Sequence, residues 1–257
     1  MHDVETNSPS PEFIRCWNAA GSHLQACGGS PEFRWLKATP IPPFLEHLSF
    51  ALGNQLFFVR LVSKARTDAI PLVTPGSPAG LQAISAGCNG HACVMPLDEG
   101  PDGWQPVEPG WGLLHLETGK RVDPPSLATD ALIEMTDWEL HDFSVQVVRD
   151  SLKKEGREIM SSQGNPSVDP SIWFVGEQGP ECVIVRAARH PLENAEKPAS
   201  MEEITDRCMT MARRVSFASV AAVSADYDFE DGSAPVPLYR GKGMYANYKG
   251  LQLIKEV

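Results

Sequence analysis

Apolar residues along the chain fall into two rhythms, and the same succession of rhythms is met twice. Spacings of three and four mark helices: Phe13, Ile14 and Trp17 in "SPEFIRCWNAAGSHLQACGG", and Leu140, Phe143, Val147 and Val148 in "TDWELHDFSVQVVRDSLKKEG". After each helix comes a run rich in β-branched and aromatic residues broken by a Gly-containing turn. These runs are "LSFALGNQLFFVRLV" (48–62) and "SIWFVGEQGPECVIVRAA" (171–188), and each reads as an antiparallel hairpin.

Helix boundaries are marked by their own chemistry. Ser10 can cap the first helix with Pro11 in its first turn. Thr136 and Glu139 form a candidate capping box for the long second-half helix, and Gly156 stops it. Each hairpin is followed by another helix start, Ser77 with Pro78 and Ser200 with Glu203. Next comes a strand ("ACVMPL" or "FASVAAV"), an acidic loop, and a Gly-punctuated strand. "PGWGLLHLETG" aligns there with "RGKGMYANYKG", setting Gly110, Gly112 and Gly119 against Gly241, Gly243 and Gly250. If the second hairpin turn is slightly longer than the first, Val59 and Arg60 fall on Val185 and Arg186, an offset of 126 residues.

The expected fold is therefore α+β: two similar helix–hairpin–helix–strand–strand halves with antiparallel sheets, arising by internal duplication. The halves are placed at residues 1–125 and 126–257. The Pro-containing segment "RVDPPSLATDALIEM" (121–135) is read as the linker.

At 257 residues the chain can bury a substantial core. Its net charge of −11 disfavours a phosphate backbone as direct ligand and fits a basic protein partner better. The start, "MHDVETNSPSPEF", carries no apolar run of the signal-peptide kind, and no segment reaches the length of a membrane span. Six scattered cysteines suggest buried thiols in a reduced, cytoplasmic protein.

The second hairpin resembles a nuclease core, with Asp169 before one strand and Glu181 opening the next. Metal-assisted hydrolysis would want a lysine two residues after Glu181, and Val183 stands there. "CNGHAC" supplies Cys88, His91 and Cys93, three local ligands where tetrahedral zinc needs four, so no metal is assigned. Lys242 in "RGKG" lacks the longer span and Lys-Ser/Thr pair of a phosphate loop, and the first half has Trp111 in its place. His141 stands one residue from Asp142 and two from Glu139 on one helix, and residues so spaced point in different directions, so the three do not converge. Arg240, Lys242 and Lys249 form a small basic cluster among acids, too slight for a nucleic-acid patch. No catalytic residue and no cofactor is assigned. The enzyme alternative is a metal-dependent hydrolase or nuclease-like site assembled from distant residues such as His47, His115, Glu117, His141 and Asp169.

The acidic loops carry the functional expectation. "LDEGPDG" holds Asp98, Glu99 and Asp102, and "ADYDFEDG" holds Asp226, Asp228, Glu230 and Asp231 alternating with Tyr227 and Phe229. Aromatics among acids suit a protein-binding edge, with rings for anchoring and charges for steering. These nine residues are the candidate partner-binding set. Calcium is disfavoured, because the twelve-residue loop with its closing glutamate is absent.

Four stretches, "FLEHLSFALGNQLFFVRLV", "MTDWELHDFSVQVVRD", "NPSVDPSIWFVGEQGPE" and "PLYRGKGMYANYKGL", resemble immunity proteins of bacterial polymorphic toxin systems. The set in question is TsiT-like and accompanies restriction-endonuclease-fold toxins delivered by type VI secretion. The resemblance runs from about residue 10 to the end. It implies a cytoplasmic, non-catalytic binder of a cognate nuclease toxin, and it carries no catalytic residues.

Overall fold

The structure, a computed structural model, describes residues 10–29, 31–38, 47–63, 78–230 and 236–257. Two compact units divide the chain, Met1–Ala131 and Leu132–Val257.

In the N-terminal unit, helix α1 (Pro11–Cys27) opens on the expected cap, with Ser10 Oγ accepting from the Phe13 amide at 3.1 Å. The edge strand β1 (Phe33–Lys37) precedes the hairpin of β2 (Leu48–Leu52) and β3 (Gln55–Ser63). Helix α2 (Pro78–Gly87) then crosses to β4 (His91–Gly100), which lies parallel to β3. The short strands β5 (Gly103–Pro106), β6 (Leu113–His115) and β7 (Arg121–Val122) and the turn of helix α3 (Pro124–Leu127) complete the unit. The sheet runs β1-β2-β3-β4-β6-β7, with β5 on the far half of β4. Its core is aromatic. Phe50 stacks between Phe57 at 4.9 Å and Trp111 at 5.7 Å, and α1 closes over them with Phe13 and Trp17.

The C-terminal unit repeats this order. Helix α4 (Asp137–Lys154) is followed by the edge strand β8 (Glu158–Ser162) and the hairpin of β9 (Ile172–Gly176) and β10 (Gly179–Arg189). Helix α5 (Met201–Met209) leads to β11 (Arg214–Ser224), parallel to β10. Strand β12 (Met244–Tyr248) pairs with the far half of β11 and β13 (Gln252–Glu256) with its near half, as β5 and β6 do on β4. Alternation along β10 sorts the core into two layers. Val183 and Val185 pack under α4, while Cys182 and Ile184 pack under α5.

The α+β reading therefore stands, with five corrections. The sheets are mixed rather than antiparallel, because a strand–helix–strand connection returns the chain parallel to itself. Strands β1 and β8 were not foreseen, and the aligned Gly-punctuated segments hold strands in different places, β6 on the near half of β4 and β12 on the far half of β11. The second hairpin turn is no longer than the first. Leu52 pairs Gln55 and Gly176 pairs Gly179, two residues lying between in each case. Ser200 occupies the N-cap of α5 but makes no side-chain cap bond, and Ser77 lies outside the described residues.

The α4 boundaries follow the sequence closely. Thr136 Oγ1 accepts from the Glu139 amide at 3.2 Å, and Glu139 Oε2 accepts from the Thr136 amide at 3.0 Å. Gly156, at φ +79°, takes the left-handed turn after the helix that L side chains rarely adopt. Five of the six cysteines are buried, Cys27 is exposed, and none is disulfide-bonded. Among the described residues no helix is long and apolar enough to cross a membrane.

Candidate functional site

The second acidic segment leaves β11 as a turn held by its own short side chains. Ser224 Oγ accepts from the Asp226 amide at 3.2 Å, and Asp228 Oδ1 accepts from the Glu230 amide at 2.8 Å. These bonds bring alternate rings to one place. Tyr227 and Phe229 meet edge-to-face with centroids 4.8 Å apart, and the His190 ring lies 4.4 Å from Tyr227 and 6.4 Å from Phe229. Phe229 remains 63% exposed and Leu192 62% exposed, while Tyr227 is half-buried beneath. Asp226 and Glu230 are exposed and form no ion pair among the described residues. Asp231 lies outside those residues.

His190 was not among the expected residues. Strand β10 ends at Arg189, and the His190 amide donates to the Ala222 carbonyl at 2.9 Å, tying the outgoing chain to β11 beside the loop. Sequence carries no mark of that adjacency, which only the parallel β10–β11 register creates.

The first acidic segment is not a loop. Asp98 and Glu99 belong to β4, paired with Gln105 and Trp104 of β5, and only Asp102 sits in the tight turn. Consecutive strand residues point to opposite faces, so Asp98 and Glu99 do not share a surface. They are exposed, and no aromatic side chain is exposed beside them, since Trp104 is buried. Of the two segments, only the second joins charge to an exposed ring.

The nuclease-like acids have other partners. Asp169 receives both terminal nitrogens of Arg186, at 2.9 and 2.6 Å, in a largely buried pair. Glu181 folds across Gly176, where an added Cβ would fall 2.0 Å from its Oε1, and its other neighbour is Arg214 at 4.0 Å. Glu139 grips Arg240 through two bonds of 2.8 and 2.9 Å, the side chains only 10% and 4% exposed. Arg240 is thus an internal clamp and not part of a basic surface cluster.

The remaining candidates disperse. Cys93 is wholly buried and its thiol pushed up to about 12 by burial. His91 stacks on Phe57 and bonds Gln55 at 3.1 Å. Among the described residues no three His, Cys, Asp or Glu side chains cluster as a metal would require. Lys242 is exposed after Gly241, whereas Trp111 is core. Glu117 bonds Gln82, and His115 Nδ1 faces the amides of its own turn. Gln146 Nε2 donates to Asp142 Oδ2 at 2.7 Å, while Glu139 is engaged by Arg240.

Two histidines are buried and neutral. Burial, helped by the charge of Lys37, pushes His47 down to about 3. For His141, burial and then Arg186 push the value down to about 4 against the opposing pull of Asp169.

A family model described as a domain of unknown function, DUF8840, matches residues 138–254, which make up most of the C-terminal unit. No curated protein and no solved structure matches the chain. The region similar to that domain holds the His190–Tyr227–Phe229 cluster, both buried ion pairs and helices α4 and α5.

Proposed function

We propose that this chain is a non-catalytic binding protein whose partner presents a basic surface, and that it serves as an immunity protein against a secreted nuclease toxin. The observation that carries the reading is the 225–230 turn. An exposed phenylalanine is braced edge-on by Tyr227, backed by His190 and flanked by the exposed carboxylates of Asp226 and Glu230. Aromatic anchors within a charged rim are the usual anatomy of an energetic centre at an interface. A nuclease must keep a positive cleft for its substrate, and the surplus acid of this chain would speed capture of such a surface. The resemblance to TsiT-like immunity proteins supplies the toxin as partner, and with it a cytoplasmic site of action. Asp98, Glu99 and Asp102 contribute to this reading only as long-range charge.

The test is a search for a nuclease gene beside this one and co-expression of the two, scored by cell survival and by co-purification of the two chains. Survival that is lost when Tyr227 and Phe229 are both changed to alanine supports the reading. Survival of cells carrying this double variant removes the turn from the interface. Failure of the unaltered protein to protect or co-purify defeats the immunity assignment.

A further inference from the structure

A cleft of about 320 Å³ opens on the α5 face of the C-terminal sheet, within the usual size range of small-ligand sites. Its floor is the buried ring of Phe217, with Ser219 beyond it on β11. One wall is the segment leading from β10 to α5, fixed across the sheet where the Ala195 amide donates to Ser219 Oγ at 2.7 Å. The opposite wall is the turn between β12 and β13. There Gly250 takes φ +99°, and pairing sets Gln252 against Phe217 and Asn247 against Ala221.

The charges of this cleft run against those of the protein. Acids outnumber bases by 33 to 22 along the chain, yet Lys197 reaches in from one wall and Lys249 from the other, with Glu193 the sole acid lining it. Neither ammonium has an ion-pair partner among the described residues, and Lys197 lies over the Phe217 ring at 5.8 Å. Two like charges facing one space repel each other, and an anion placed between them relieves that repulsion. The apolar ring below and the amide side chains beside it add a flat surface and hydrogen-bonding edges.

We infer that this cleft is a binding site for a small organic anion, one carboxylate or phosphate group on a flat aromatic body. The anionic group sits between Lys197 and Lys249 and the ring lies against Phe217, with Asn247 and Gln252 bonding its polar edge. The site is independent of the acidic turn and needs no toxin partner.

Phenyl phosphate is the probe, titrated into the full chain by calorimetry and followed by amide shifts. Saturable binding with a dissociation constant of about 1 mM or tighter is expected, with shifts centred on Phe217 and Ser219. Inorganic phosphate and phenol, carrying the charge and the ring separately, should each bind at least about tenfold more weakly. Lys197→Ala and Lys249→Ala should each weaken phenyl phosphate by about tenfold. Lys154→Ala, an equally exposed lysine at the end of α4, should leave binding unchanged. Lack of saturation, or equal weakening by Lys154→Ala, overturns the site. Inorganic phosphate binding as tightly as phenyl phosphate overturns the aromatic part of the assignment.

Discussion

Replacing Glu139 by glutamine removes one charge from a pair almost wholly withdrawn from solvent, and the surroundings set the cost. Arg240 is 4% exposed, and Glu139 takes two of its N–H bonds while also closing the capping box of α4. Glutamine keeps an oxygen for the Thr136 amide, so the cap survives and the charge pair does not. Breaking a buried ion pair by removing one partner costs about 3–5 kcal/mol. The amide oxygen retains one neutral bond, so the expected loss lies near the lower end, about 3 kcal/mol. Arg240→Met should cost less, about 1–2 kcal/mol, because Glu139 keeps its cap bond and its favourable place at a helix N-terminus. The double variant then carries no buried unpaired charge and should lie nearer to wild type than Glu139→Gln alone, giving a coupling of roughly 3 kcal/mol.

Native-state hydrogen exchange over Leu140–Val148, in urea at pH 7, reads the opening free energy of this unit separately from the other. A loss of about 3 kcal/mol is a large share of the stability of an ordinary domain, so it cannot hide in experimental scatter. Strictly additive losses in the double variant would refute the reasoning, as would Glu139→Gln falling within about 1 kcal/mol of wild type.

Three further outcomes follow from the geometry. His47 and His141 are held neutral in the fold, while the unfolded chain takes up protons below its ordinary value near 6.5. Stability therefore falls with the pH from about 6.5 downward, until each folded group titrates near 3 and 4 respectively. The His141 share amounts to about 3 kcal/mol, and urea titrations at pH 7 and 4.5 should show a shallower acid loss in His141→Leu; an unchanged slope rules this out. Asp169→Asn strips Arg186 of a bidentate partner and should cost about 3 kcal/mol by urea unfolding, with less than 1 kcal/mol marking the pair as dispensable. Changing Asp226, Asp228 and Glu230 together to their amides should slow association with a basic partner about tenfold at low salt and flatten its salt dependence; an unchanged on-rate at low salt removes these charges from capture.

What could be read from the chain divides along a physical line. The α4 boundaries were legible because Thr136, Glu139 and Gly156 act within one or two turns of their own backbone. Both hairpins were legible because short turns join segments that pair at once. The parallel β3–β4 and β10–β11 pairs were not, since nothing in a strand marks a partner that returns after a helix. Arg240 looked like surface charge beside Lys242, and its acid lies 101 positions away. Asp98 and Glu99 looked like a loop because hairpin tips and loops share a composition, whereas their strand continues to Gly100. The acid and aromatic alternation at 226–230 was plain, but His190, which backs the rings, reaches them only through the sheet.

That support bears on how the turn could work. The connection from β11 to β12 begins at Ala225 and is held again before β12, where the Met135 amide donates to Leu238 O at 2.8 Å and the Arg240 amide to Ile133 O at 2.9 Å. The Arg240 side chain then locks the second anchor to the start of α4 through Glu139. Tyr227 is fixed at the other end by His190 and by its amide bond to Ser224 O. A ring held before contact loses less conformational freedom on binding, an ordering cost otherwise of about 0.5–1.5 kcal/mol for each mobile side chain. The exposed rings and the buried clamp thus stand at the two described ends of one connection. Glu139→Gln should therefore weaken partner binding as well as the fold, through a faster off-rate and not a slower on-rate, because the steering carboxylates are untouched. Stopped-flow association with surface-resonance dissociation separates the two. A stable Glu139→Gln variant with an unaltered off-rate would show that the turn needs no such support.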